Sequence, residues 1–342
     1  MRINREEFLK QLESVLPGLS AREIIEQSSC FIFKDENVNT YNDEIACTQK
    51  SLLKIEGAVP AIPFISILRK LQEDDLEINT NDENTQLLIR GKRRRAGIRM
   101  EHDILLPIEA VDKPKKWKDL PEDFADAVGI VQSCAGTNEA QFAMTCIHIC
   151  PKWIEACDNH QVTRFKIKTD VTEPILIRKE SLKHIVSLDM GEFSETKHWI
   201  HFRNPTGLVL SCRHFIEEYP TDDITKILKM TGEPLILPKG LKEAVEKAEV
   251  FSSENVEGSN IIVSLKPSKF KITGKGASGW FTEIKKSKYS GKPLQFTIPA
   301  KLLSELVQQY NKCEVSSNRL KVVGGKFVYV TVLGMIEKKE EE

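Results

Sequence analysis

No stretch of the 342 residues approaches the roughly 18–20 consecutive apolar residues needed to cross a bilayer, so no membrane association is expected. No basic segment followed by an apolar one opens the chain, so no secretory leader is expected either. Net charge is nearly absent: 49 Lys and Arg stand against 50 Asp and Glu, giving −1. Attraction to a polyanion must therefore come from uneven placement of the cations. No P-loop, Ser/His/Asp arrangement or paired-carboxylate motif stands out, which argues against an enzyme. Eight cysteines fall at irregular spacing with no export signal, which points to reduced thiols and a cytoplasmic protein. A hydrophobic content of 40% beside 29% charged residues leaves a soluble globular chain with room for two or three domains.

What the sequence does contain is an internal repeat. Phe8, Leu12 and Val15 fall at i, i+4 and i+7, one face of an α-helix. Phe124, Val128 and Val131 repeat that pattern 116 residues later, and Leu241, Val245 and Ala248 a further 117 residues on. A second triplet keeps the rhythm. VPAIPFISILRKL from Val59, IRKESLKHIVSLD from Ile177 and IPAKLLSELVQQY from Ile298 are spaced by 118 and 121 residues. Their apolar positions coincide: Phe64, Leu182 and Leu303, then Ile67, Ile185 and Leu306, then Leu68, Val186 and Val307. Two patterns in one order at matching spacing are hard to obtain by chance.

Between these helices the chain alternates as strands do, for example at Cys30–Phe33, Gln86–Met100, Lys197–Arg203, Gly207–Cys212, Asn260–Leu265, Trp280–Lys285 and Lys321–Leu333. Each repeat reads helix, strands, helix, strands. The expected fold class is α+β: three tandem similar domains, each with two helices packed on a largely antiparallel sheet. The expected domains are 1–117, 118–237 and 238–342, joined by short connectors at KPKKWKDLP and GEPLILPKG.

Three features invite sharper readings. Gly274-Lys-Gly276-Ala-Ser-Gly279 fits G-x-G-x-x-G, but an alternating strand follows instead of a helix, so a glycine-rich hairpin is expected and no cofactor. Cys146, His148, Cys150, Cys157 and His160 suggest zinc. On a strand, however, Cys146 and Cys150 lie roughly 13 Å apart, too far for one tetrahedral ion. No metal site is expected. Arg90, Lys92, Arg93, Arg94, Arg95 and Arg99 form the densest basic cluster, which would suit DNA contact, a subunit interface or a solvated hairpin.

The order of elements over the whole chain resembles the bacterial-type DNA sliding clamp, the beta subunit of the replicative polymerase. LSAREIIEQSSCFIF, VNTYNDEIA, EACDNHQV (Glu155–Val162), KGLKEAVEKAEVFSSE and the ending VYVTVLGM carry the likeness. The chain is a divergent member by this reading: Asn159 and Gln161 replace the usual Gly and Arg, Gly334 replaces a proline, and an acidic tail EKKEEE is added.

The resemblance implies a ring-forming homodimer that encircles double-stranded DNA without sequence specificity. It also implies a DNA polymerase and a clamp loader as partners, with no catalytic residue, cofactor or metal. DNA-facing residues would be Lys10, Arg22, Arg69, Lys70, Lys179, Lys183, Lys242, Lys247 and Lys301, with Arg93 and Arg95 from the basic cluster. Val250 and Phe251 take the dimer-interface position. A client-peptide pocket would be lined by Cys157, His160, Val162, Leu228, Val332, Leu333 and Met335. Two alternatives stand beside this reading: a monomeric nucleic-acid-binding module using the Arg90–Arg99 hairpin, and a nucleotide- or metal-dependent enzyme.

Overall fold

The computed structural model describes residues 1–253 and 259–335, which form two compact units. The first comprises residues 1–132, 139–154 and 167–218; the second comprises 133–138, 155–166 and 219 onward. Helices and antiparallel sheets account for both, as an α+β fold requires.

In the first unit, α1 (Arg5–Ser14) starts where the Asn4 side chain accepts from the Glu7 backbone N–H at 3.0 Å, with Glu6 and Glu7 in the first turn. Its buried face is Phe8 and Leu12. Helix α2 (Ala61–Lys70) buries Phe64, Ile65 and Leu68 and ends on Arg69 and Lys70. Phe8 and Phe64 meet edge to face at 5.7 Å, locking the pair. In the second repeat, α3 (Phe124–Val131) sets Phe124 5.8 Å from Phe202. Its companion is shorter than the periodicity suggests: α4 spans only Lys179–Leu182 and passes into a 3₁₀ turn, Lys183–Val186. The β-branched pair Ile185–Val186 favours helix poorly.

An eight-stranded antiparallel sheet organises this unit. Its order is Gly57–Pro60, Cys30–Lys34, Asn37–Tyr41, Ile45–Lys50, Val209–Arg213, Trp199–Arg203, Glu192–Glu195 and Lys118–Asp119. The seam joins segments more than 150 residues apart, with Leu210 opposite Cys47 and Cys212 opposite Ile45. A separate four-stranded sheet runs Arg2–Asn4, Asp75–Thr80, Gln86–Arg90, Arg95–Arg99. The stretch read as extended from Gln86 to Met100 is thus a hairpin, closed by Gly91 N–H donating to the Arg94 carbonyl at 2.9 Å.

In the second unit, α6 (Leu241–Ser252) buries Leu241, Ala244, Val245 and Ala248 and packs with α7 (Ala300–Gln309). They cover a sheet ordered Gly279–Lys286, Lys269–Gly276, Asn260–Lys266, Leu294–Pro299, Gly334–Met335. Strands Gln161–Lys166, Phe327–Val332, Arg319–Val323, Lys312–Val315 and Glu233–Ile236 follow one another in a second sheet. One further helix, α5 (Thr221–Leu228), lies in the segment read as a connector.

The connectors themselves correct the sequence reading, because both contain edge strands. Lys118–Asp119 pairs with Glu192–Glu195, and Glu233–Ile236 pairs with Lys312–Val315. Pro234 is tolerated there because an edge strand can forgo an N–H. No helix among the described residues is long and apolar enough to cross a membrane.

Candidate nucleic-acid and peptide interfaces

The helices set out most of the cations singled out in the sequence. Lys10 is exposed on α1 and Lys70 at the end of α2; Lys301 is exposed at the start of α7 and Arg22 in the loop before Cys30. Others already have carboxylate neighbours. Arg69 reaches across to Glu13 of α1 at 2.7 Å, and Lys183 pairs with Glu180. Lys242 sits 3.8 Å from Glu246 and Lys247 3.7 Å from Glu283. Such exposed pairs contribute at most about 1 kcal/mol, so an incoming phosphate can compete for the cation. Lys179 opens α4, half-exposed.

The basic hairpin is divided by its register. Ile98 lies opposite Leu87 and is buried, so Arg95, Gly97 and Arg99 point to the other face. Arg90 lies directly opposite Arg95. Arg94 bridges to Glu73 at 3.3 Å and Arg99 to Glu101 at 3.3 Å, while Arg90, Lys92, Arg93 and Arg95 are exposed with no carboxylate partner among the described residues. Arg95–Arg99 is also an edge: among the described residues no strand pairs with its outer side.

The Gly279–Lys286 strand is a free edge in the second unit. Glu283 faces α6 through Lys247, so Trp280 and Ile284 point away, 68% and 60% exposed. Val250 on α6 is 64% exposed and Phe251 half-buried beside Gly279. Large apolar side chains at that exposure on an unpaired edge are uncommon unless something covers them.

The residues expected to line a peptide pocket all lie in the second unit, with Leu228 on α5. Thr331 and Leu320 lie opposite each other and are buried, so Val332, Val330, Arg319 and Lys321 share the other face. Val162 and Arg164 continue that face, opposite Val330 and Val328. Helix α5 is held over it at both ends. Arg164 donates to Thr225 Oγ1 at 3.0 Å, to the Thr221 carbonyl at 3.4 Å and to the buried Glu155 at 2.6 Å. Lys321 donates to the Met230 carbonyl just past the helix at 2.7 Å. Tyr219 donates to Cys157 Sγ at 3.3 Å.

Cys157 and Val162 are buried, while Leu228 is half-buried and His160 exposed. Val332 is 44% exposed whereas Leu333 is buried, so Val332 is the one of the pair that offers surface. The Met335 backbone pairs with Phe296; its side chain, like the EKKEEE tail, lies outside the described residues. Helix α5, Arg164 and Lys321 were not foreseen. Ile224, Ile227 and Leu228 at helical spacing after Pro220 were the available signal.

The Gly274–Gly279 stretch ends one strand, turns and begins the next. A Cβ at Gly274 would sit 1.8 Å from the Ala248 carbonyl oxygen, so that glycine lets the strand approach α6. Burial lifts the Cys146 thiol to about 12 and raises Cys157 as well.

In a cleft of about 270 Å³ in the first unit, register places His201 opposite Ser211. Thr196 Oγ1 donates to the Trp199 carbonyl and so accepts from His201 Nε2–H at 3.0 Å, leaving Nδ1 to accept from Ser211 at 2.8 Å. This couple has a nucleophile's hydrogen bonding but not its exposure. His201 is fully buried, Ser211 nearly so, and burial drops the imidazole to about 4, too weak a base for the task.

No protein-family model matches the sequence, and no curated protein matches it. Solved structures do. A sliding clamp (DNA polymerase III subunit beta) from Bartonella birtlesii superposes with TM-score 0.85 at 15% identity, covering 98% of this chain and 99% of that one. The DNA polymerase III beta chain of Streptococcus pneumoniae gives 0.83 at 16% identity over 98% and 99%. The Bacillus subtilis DNA polymerase sliding clamp gives 0.82 at 15% over the same shares. The chain therefore has the DNA clamp fold along its whole length.

Proposed function

We propose that this chain is a DNA sliding clamp subunit, a non-catalytic processivity factor. Two copies close head to tail into a ring around duplex DNA and tether a polymerase delivered with the help of a clamp loader. The repeats act as three domains, 1–117, 118–237 and 238–342. The likeness to solved sliding clamps supports the reading, and one observation carries it: among the open sheet edges of the described residues, Arg95–Arg99 carries arginines and Gly279–Lys286 carries the exposed Trp280 and Ile284, a complementary pair. Within the first unit, sheets of successive repeats are fused edge to edge at the Ile45–Lys50/Val209–Arg213 seam. The Arg95–Arg99 and Gly279–Lys286 edges lack any such partner among the described residues. Pairing them between two copies repeats the same seam in trans and closes the assembly. Trp280 and Ile284 then meet the Arg95, Gly97 and Arg99 face, where guanidinium can stack on indole, and Val250 and Phe251 lie beside the joint.

A closed ring needs little affinity for DNA. Lys10, Arg22, Arg69, Lys70, Lys179, Lys183, Lys242, Lys247 and Lys301, with Arg93 and Arg95, engage phosphates without reading bases, so contact is mobile and salt-sensitive. Tethering raises the effective concentration of polymerase at the primer end. Clients dock by an extended peptide on the strip beside α5 formed by Cys157, His160, Val162, Leu228 and Val332, with Leu333 and Met335 bounding it.

The test is retention on closed DNA. Protein loaded on a nicked circle should persist through a high-salt wash and be released when the circle is cut. Equal loss from circular and linear DNA overturns the topological reading. Solution mass separates it from a monomeric module built on the exposed Arg90, Lys92, Arg93 and Arg95, which would show one chain per particle and no difference between the two DNAs.

A further inference from the structure

We propose that the sheet covered by α6 and α7 binds single-stranded DNA on its other face, the one turned away from those helices. Residues 260–299, which build most of that sheet, hold eight lysines, one glutamate and no aspartate or arginine, in a chain whose net charge is −1. Alternation sorts these charges between the two faces. Ile261, Val263, Leu265, Phe270 and Ile272 are buried, and α6 packs on the strands that carry them. Lys266, Lys269, Lys271, Lys275 and Lys286 take the opposite face and are all exposed. The one glutamate lies on the helix side, where Glu283 pairs with Lys285 at 2.8 Å and with Lys247 at 3.7 Å. The acid therefore serves the helix side and leaves the other face uncompensated.

Cross-strand order concentrates the charge further. Lys266 lies opposite Lys269, and Lys269 opposite Lys286, so three ammonium groups share one row. Like charges set directly opposite one another destabilise a sheet. Lys266, Lys269, Lys271 and Lys286 have no carboxylate partner among the described residues. A row of that kind is complementary to a chain of phosphates, whose binding would relieve the repulsion. Apolar groups are interleaved with the lysines. Ile284 lies opposite Lys271 and Trp280 opposite Lys275, 60% and 68% exposed. Unstacked bases use such platforms, whereas a duplex keeps its bases covered and an acidic peptide has none. A guanidinium stacked on one side of Trp280 at the proposed joint leaves the other side of the indole to a base. This surface goes beyond the clamp reading and does not depend on ring closure, because the sheet itself separates it from the cations of α6 and α7.

The experiment titrates three fluorescent probes against the full chain by polarisation between 50 and 200 mM salt: a 20-nucleotide oligothymidylate, a 20-base-pair duplex and a 20-residue oligoglutamate. The single strand should bind about 10-fold more tightly than either of the others, the gain from base stacking. Lys266→Gln with Lys269→Gln and Lys271→Gln should flatten its log affinity–log salt slope by about 2, roughly 0.7 for each cation. That variant should keep the wild-type urea midpoint and, once loaded, its retention on nicked duplex circles. Lys242→Gln with Lys301→Gln, on the helix side, should leave the single-strand slope unchanged. A slope indifferent to the three sheet lysines, or flattened as much by the helix pair, overturns the proposal. Oligoglutamate bound as tightly as the single strand also overturns it and makes the face a dock for an acidic protein. A duplex bound as tightly overturns the assignment to single strands. If the wild type fails to stay on circles while the single-strand preference and its loss in the triple variant persist, the sheet face stands and the ring reading falls.

Discussion

The Ile45–Lys50/Val209–Arg213 seam and the open Arg95–Arg99 and Gly279–Lys286 edges are all strand margins, yet their residues differ sharply. The seam carries Ala46, Cys47, Leu210 and Cys212, all buried, compact and uncharged. One open edge carries Arg95, Gly97 and Arg99; the other carries Trp280 and Ile284 among lysines. A margin finished inside the chain is packed like a core and depends on burial. A margin finished by association must remain soluble until it meets its partner, so charge guards it. On the proposed reading, one sheet chemistry serves folding at one place and assembly at another.

That division is exposed first by damaging the seam. Leu210→Ala should cost about 2–5 kcal/mol of stability, the usual loss for a fully buried leucine. The urea midpoint of the first unit would report it. A cost as small as that of an edge substitution would mean the seam is not core.

Next in size is the response to acid. Burial holds the His201 imidazole at about 4, below its unfolded value near 6.5. The unfolded chain therefore takes up this proton first as pH falls. The contribution of His201 is intact above pH 6.5, declines between about 6.5 and 4, and is level below. The loss over that window is up to about 3 kcal/mol. His201→Gln should flatten that part of the stability–pH curve, measured by urea unfolding at pH 7.5 and 4.5; an unchanged slope would assign acid sensitivity elsewhere.

The smallest free-energy change is expected at the open edge. Trp280→Ser with Ile284→Ser should leave urea unfolding of the monomer within about 0.5 kcal/mol, as surface changes do. It should weaken dimerisation by about 100-fold, read by sedimentation, because aromatic anchors dominate interfaces. A dimer of unchanged affinity would place the joint elsewhere.

The helices were legible because each carries its own periodic apolar face: Phe8–Leu12, Phe64–Leu68 and Leu241–Val245 need no distant partner to be recognised. The second repeat shows the limit, where one pattern became a four-residue helix and a 3₁₀ turn. What could not be read was register. Nothing local in Cys47 announces Leu210, and nothing in Arg319 announces Val332. Alternation fixes which face a side chain takes, but not which strand lies beside it. The residues proposed for a client strip could be named from the sequence, while α5 and its anchors Arg164 and Lys321 could not.

The eight cysteines have a practical consequence for watching this molecule move. All are free and buried, and burial pushes several of the thiols up, Cys30 to about 11 and Cys47, Cys134 and Cys313 to about 12. Thiolate is the reactive species, so the folded chain is a nearly silent background for maleimide chemistry. A single cysteine added at an exposed position would carry a dye with little competition from the native eight. The native thiols in turn become a clock, because each can be alkylated only when its own segment opens.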